Sequence, residues 1–121
     1  MKKKIKQASI YNNILVESDN LQIPLISNQG SRNHYWVYGV VLKSKSRDEL
    51  SSYLHNEGIQ TRNFFWPLHM QNVLKDEFKP KNSLQVSESL GRQGLYIPMG
   101  DHLSKQDQIT IARKLLTFVD G

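Results

Sequence analysis

The chain has 121 residues, 38% of them apolar, and no cysteine, which allows one modest core and excludes disulfide and thiolate chemistry. No apolar run approaches the roughly 20 residues a membrane span needs. The formal net charge of +5 does not argue for nucleic acid, because Lys2, Lys3, Lys4 and Lys6 supply most of it: the remaining 12 basic and 11 acidic residues are interspersed, whereas a nucleic-acid surface gathers its cations on one face. The basic start has no apolar segment behind it, so no secretory signal is expected, and a cysteine-free chain fits a cytoplasmic protein.

Residues 3–17 read as a helix, since Ile5, Ala8, Tyr11, Ile14 and Leu15 recur three or four apart and form one apolar stripe. Ser18, Asp19 and Asn20 close it. Residues 21–26 form a short apolar stretch that Pro24 demotes to an edge strand or linker. Residues 27–33, rich in Ser, Asn and Gly, read as a loop. Residues 34–43 are dense in Tyr, Trp and Val and form the strongest strand. Both of its faces are apolar, so it is expected to be central, with Tyr35, Val37, Gly39 and Val41 on one side and Trp36, Tyr38, Val40 and Leu42 on the other. Trp36 is read as a core residue.

Residues 46–57 carry a complete helix-start signal, with Ser46 at the N-cap and Glu49 three residues on. Leu50, Tyr53 and Leu54 make the buried stripe, and Gly58 supplies the left-handed position after the helix. Residues 59–62 are expected as a short strand. Pro67 sets a turn, and residues 70–78 read as a short helix with Val73, Leu74 and Phe78 inward. Residues 84–91 form another short helix, residues 91–94 a turn, and residues 95–97 a strand. Ser104 caps the last helix with Asp107 at its third position, and Ile109, Ala112, Leu115, Leu116 and Val119 face inward. The order of elements predicts an α/β fold: a small two-layer sandwich with helices on a mostly antiparallel sheet of three or four strands.

The segment Gly58-Ile59-Gln60-Thr61-Arg62-Asn63-Phe64-Phe65-Trp66-Pro67-Leu68-His69 carries the chemistry. It sets three consecutive aromatics beside an arginine and a histidine. Flat faces can stack on a base or sugar, while a guanidinium can present a bidentate fork to phosphate or carboxylate. The plainer readings are that Arg62 pairs with a neighbouring carboxylate and that some of the aromatics plug the core. The four histidines show no metal-ligand spacing, no metal site is expected, and no nucleophile–base pair can be named.

This string, GIQTRNFFWPLH, resembles one found in the C-terminal region of the DegT/DnrJ/EryC1/StrS family, whose members carry a run like G-I-x-T-R-P-F-F-Y-P-L-H. The likeness extends upstream to His34-Tyr35-Trp36-Val37-Tyr38-Gly39-Val40-Val41-Leu42 and to Arg47-Asp48-Glu49-Leu50. Downstream it includes Gly94-Leu95-Tyr96-Ile97-Pro98 and the opening of the last helix from Leu103 to Ile109. Perosamine-synthase-like members are the most similar in flavour. Asn63 departs from the family's proline.

The family comprises aminotransferases that depend on pyridoxal phosphate (PLP) and act on nucleotide-linked keto-sugars. The resemblance implies the small C-terminal domain of a fold-type I aminotransferase over residues 21–121, with residues 1–20 as the helix and linker that join a large domain. It also implies a homodimer with a nucleotide-sugar substrate. Arg62, Phe65, Trp66 and His69 are the substrate-binding candidates it points to. The family's Ser-x-x-Lys stretch has no match here, so the expectation is a fragment with no catalytic or cofactor-binding residue of its own, inactive alone and binding no PLP. A dehydratase of the same family would differ in the missing portion. The alternative from another class is a stand-alone nucleotide-sugar-binding or interaction module.

Overall fold

A computed structural model describes residues 2–74, 77 and 80–121. Four helices, α1 (Lys2–Leu15), α2 (Arg47–Asn56), α3 (Gln85–Gln93) and α4 (Lys105–Asp120), accompany the strands β1 (Leu21–Gln22), β2 (Ser27–Asn28), β3 (Ser31–Arg32), β4 (Tyr38–Leu42), β5 (Arg62–Asn63) and β6 (Gly94–Ile97). The main sheet is antiparallel and runs β1-β4-β6-β5, with β2 and β3 paired as a separate hairpin. The α/β sandwich with a four-stranded antiparallel sheet is therefore as expected, with β4 central and β1 at the edge.

One sheet face carries Tyr38, Val40, Leu42, Leu95 and Ile97. These join Ala8, Tyr11 and Leu15 of α1, Leu50 and Leu54 of α2, and Ile111, Ala112, Leu115 and Val119 of α4 in a single buried cluster. Burying each such aliphatic side chain contributes about 1.5–3 kcal/mol. Polar stitches cross the same layer. Tyr11 Oη donates to Pro98 O at 2.7 Å and Gln108 Nε2 to Gln7 O at 3.2 Å. Burial pushes both the Tyr11 and Tyr38 phenols well above their ordinary range.

Helix boundaries follow local signals. Ser46 Oγ accepts from Glu49 N, the first half of the expected capping box. At the far end Ile59 N donates to Leu54 O at 2.8 Å and Gly58 N to His55 O at 2.9 Å, while Gly58 sits at φ +76°. This is a Schellman closure, and the buried pair Leu54 and Ile59 supplies its hydrophobic contact. Ser104 and Asp107 make the complete reciprocal box at the start of α4. The Ser104 hydroxyl and amide hold the Asp107 carboxyl below the ordinary aspartate range.

Several expectations are corrected. Residues 27–33 are not a plain loop. Gln29 at φ +47° and Gly30 at φ +84° form the two-residue tip of the β2–β3 hairpin, the positive-φ pair such a turn requires. The central strand begins only at Tyr38, because Tyr35 takes φ +52° and breaks the alternation. Asn33 Oδ1 accepts from Tyr35 N at 2.8 Å and supports that turn. Tyr35 therefore goes inward and stacks on Tyr38 with centroids 6.1 Å apart, while Trp36 is 75% exposed and not core.

The strand expected over 59–62 is confined to Arg62–Asn63. Of the helix expected over 70–78, Lys75, Asp76 and Phe78 lie outside the described residues. Before them there is only a 3-10 turn at Leu68–Met70, and Val73 is 83% exposed. Residues 91–94 are not a turn: α3 runs on to Gln93 and β6 begins at Gly94. The inward stripe of α4 includes Gln108 and Ile111, with Ile109 only half-buried.

Candidate functional site

The Schellman closure after α2 turns the chain back toward the sheet, so that Arg62 enters β5 opposite Tyr96 of β6. Ser51 and Thr61 hydroxyls lie 2.9 Å apart and hold the returning segment against α2. Arg62 is exposed, and among the described residues no carboxylate lies within ion-pair distance of it. The reading of Arg62 as a salt-bridge partner thus finds no support in these residues.

Arg62 stands on a ridge between two depressions. On one side a groove of about 810 Å³ runs between the 57–62 segment, the end of β6 and the first half of α4. Ile97 and Ile111 give it an apolar side, and Trp36, Tyr96 and His102 give it flat faces. On the other side a depression of about 590 Å³ is lined by Ser51, Ser52, His55, Asn56 and Gln60, all hydrogen-bonding groups without negative charge. Arg62 therefore borders at once a groove with aromatic faces, which also carries the Glu57 and Asp107 carboxylates, and a polar depression.

The aromatic run adjoins the groove through Tyr96. Phe64 stacks on the Tyr96 ring with centroids 4.5 Å apart and planes 26° from parallel, and Phe65 meets it edge-on at 6.2 Å. Phe64 is half-buried over the glycines of β4 and β6, so it is the plug among the three. Phe65 is 76% exposed and Trp66 42% exposed, with Trp66 Nε1 donating to Met70 O at 3.1 Å. His69 is separate: it lines neither depression, and its Nε2 lies 3.1 Å from Glu88 Oε1 on α3. The structure thus brings Arg62 and Phe65 around Tyr96, holds Trp66 in the same run, and turns His69 away toward α3.

Sequence reasoning missed Trp36 and His102 as groove residues. Trp36 had no local signal, since its exposure depends on the left-handed turn at Tyr35. His102 sits on the loop just ahead of the well-marked Ser104 cap, and its closeness to the groove could have been argued from that. Among the described residues no three His, Asp or Glu side chains come together as a metal cluster, and no described helix is long and apolar enough to cross a membrane.

PLP chemistry of the family requires a lysine whose amine can be neutral when it attacks. Lys114 is the lysine on the groove, and it is ion-paired with Glu57 across the end of α2. The hydrogen bond to Glu57 pushes its ammonium above the ordinary lysine range, the opposite of what a nucleophile needs. Lys114 therefore does not fit the lysine attachment point of PLP.

The model of the DegT/DnrJ/EryC1/StrS aminotransferase family matches residues 1–116, and the chain belongs to that family, which is PLP-dependent. It is 34% identical over 71 residues to the dTDP-3-amino-3,4,6-trideoxy-alpha-D-glucose transaminase of Streptomyces venezuelae, a match covering 58% of this chain and 19% of that protein. To the GDP-perosamine synthase of Escherichia coli O157:H7 it is 26% identical over 85 residues, covering 69% of this chain and 22% of that protein. The crystal structure of a DegT DnrJ EryC1 StrS aminotransferase from Brucella abortus superimposes with a TM-score of 0.82 at 30% identity, over 99% of this chain and 31% of that one. The chain spans less than a third of the length of each of these relatives.

Proposed function

We propose that this chain is the C-terminal portion of a cytoplasmic sugar-nucleotide aminotransferase, and that it furnishes one wall of the site for a nucleotide-linked sugar. The observation that carries this reading is the placement of Arg62. A guanidinium binds a diphosphate bidentately. On one side of it Trp36 and Tyr96 offer flat faces to a base, and on the other Ser51, Ser52, Asn56 and Gln60 offer hydroxyl and amide groups to sugar hydroxyls. Phe65 and Trp66 extend the aromatic wall.

Amino transfer itself is assigned to residues outside this chain, because the family's Ser-x-x-Lys stretch has no match in it and the lysine on the groove is ion-paired with Glu57. The chain alone is therefore inactive: incubation with PLP and then borohydride should fix no cofactor on any single lysine. The exposed apolar side chains of Trp36, Phe65, Leu68, Val73 and Val86 are surface that a larger partner or a second copy would cover. Self-association of the isolated chain belongs to the same proposal.

The test is an amide-shift titration with dTDP-glucose. Shifts confined to residues 58–69 and the groove around Tyr96 support the reading. Absence of any shift at about 1 mM ligand, a concentration that reports even weak binding, removes it.

A further inference from the structure

We propose that His69 is a positioning residue: through Glu88 it sets the aromatic wall beside Arg62 and does not touch the ligand itself. The inference rests on the nucleotide-sugar reading above for its functional meaning, though not for its geometry.

His69 sits in the 3-10 turn Leu68–Met70, and its side chain is only 9% exposed. Its Nε2 is 3.1 Å from Glu88 Oε1, and the other Glu88 oxygen is 3.6 Å from Arg92 Nη2 one helical turn on. An ionised carboxylate only accepts, so Nε2 carries the proton and donates. The His69 Nε2 is thus engaged by α3, and His69 lines neither depression beside Arg62.

The run from Phe64 to Leu68 has no ladder of its own beyond its first amide. Phe64 N donates to Gly94 O at 3.1 Å. Pro67 then lies against Gly91, where a Cβ would stand 2.7 Å from Pro67 Cδ. Glu88 and Gly91 are three residues apart on α3 and share one face. Gly91 thus provides a notch for the proline, while Glu88 holds the imidazole two residues further along. Trp66, just ahead of the proline, is closed onto the same turn by its bond to Met70 O and by Gln71 Nε2 donating to Trp66 O at 3.4 Å. Contact at Gly91 fixes where the run sits, and the polar bond at Glu88 keeps it from peeling off α3. Losing that bond frees the turn that supplies Met70 O to the Trp66 indole, and leaves Phe64 seated.

The experiment uses the full chain and measures two quantities: the dissociation constant for dTDP-glucose and the exchange rate of the Trp66 indole N–H. His69→Ala and Glu88→Ala are each expected to weaken binding about tenfold and speed Trp66 exchange, in line with a charge-assisted bond. The double variant should be no worse than either single one, the signature of one shared interaction. His69→Gln, whose amide can still donate to Glu88, should restore both readouts. If Glu88→Ala folds poorly, Glu88→Met, which keeps the side-chain length and removes the acceptor, takes its place. Unchanged affinity and unchanged Trp66 exchange in the Glu88 variant, with loss in the His69 variant alone, would make His69 a ligand contact and overturn the proposal. If the wild type binds no dTDP-glucose, the nucleotide-sugar reading falls. The clasp then stands or falls on whether Trp66 exchange rises in both single variants.

Discussion

Phe64 occupies the space that a side chain at Gly39 would need: a Cβ built on Gly39 would stand 2.7 Å from the Phe64 ring. Gly39 and Tyr96 are register partners, so the ring lies over their junction and stacks on Tyr96. The glycine second in the central strand is thus the seat of the first aromatic of the run.

The consequence for Gly39→Ala follows directly. The added methyl must displace Phe64, and overpacking of this kind costs about 1–3 kcal/mol. Thermal unfolding should show the loss, and near-ultraviolet circular dichroism should report altered aromatic packing while far-ultraviolet signal persists. An unchanged melting temperature would mean that the ring moves aside without cost.

Arg62 makes a contrasting prediction. It is exposed on the edge strand, so Arg62→Ala should leave stability within about 0.5 kcal/mol, as surface changes usually do. Binding of dTDP-glucose should weaken by about tenfold or more, the range of a charged hydrogen bond. Arg62→Lys should recover little of it, because an ammonium cannot offer the planar fork. Equal binding by the lysine variant in a calorimetric titration would reduce Arg62 to a point charge.

Gly58 can be tested without touching any neighbour. A methyl there meets nothing within 4 Å, yet the residue sits at φ +76°. Gly58→Ala should therefore cost about 1 kcal/mol through backbone conformation alone. Chemical denaturation measures it, and a neutral result would show that the α2 closure relaxes to an ordinary C-terminus.

Asp120 ties the last helix to the α1–β1 connection. Ser18 Oγ donates to its Oδ1 at 2.6 Å and Asn20 Nδ2 to the same oxygen at 2.9 Å. These two bonds, Ser18 first, hold the carboxyl below the ordinary aspartate range. A depressed folded pKa means stabilisation that is present above the unfolded value, about 3.9, and is lost as pH falls through the lower folded value. Asp120→Asn should be less stable than wild type at pH 7, by under about 1 kcal/mol given solvent screening. The gap should close in acid. A gap independent of pH in urea melts would refute the charged-acceptor account.

Much of the fold was legible because its signals are local. The stripe of Ile5, Ala8, Tyr11 and Leu15, the Ser46 and Ser104 caps and the Gly58 closure each act within a turn or two of chain. What could not be read depends on longer-range context. Tyr35 adopts its left-handed turn with Asn33 and Tyr38 to receive it, and Trp36 is swung out as a result. Gln29 carries no mark of a hairpin tip, since positive φ there is taken on to match Gly30. The rotation of the α4 stripe to include Gln108 comes from its bond to Gln7, about a hundred residues away in sequence. At the site, the string around Arg62 was visible, yet the burial of His69 against Glu88 depends on α3, a helix that the histidine's own neighbours do not announce.

The pairing of α1 with α4 also dictates an order of events. α1 presents its apolar stripe of Ala8, Tyr11 and Leu15 to Ile111, Ala112 and Leu115 of α4, far along the chain, and Gln108 Nε2 donates to Gln7 O across the same seam. On a translating ribosome α1 must therefore wait, half-dressed, until α4 emerges. The sheet and α2 can assemble meanwhile, and closure of this long loop is the step that completes the core. A chain cut anywhere within α4 would leave α1 without its partner, which makes the C-terminal helix the latch of the whole domain.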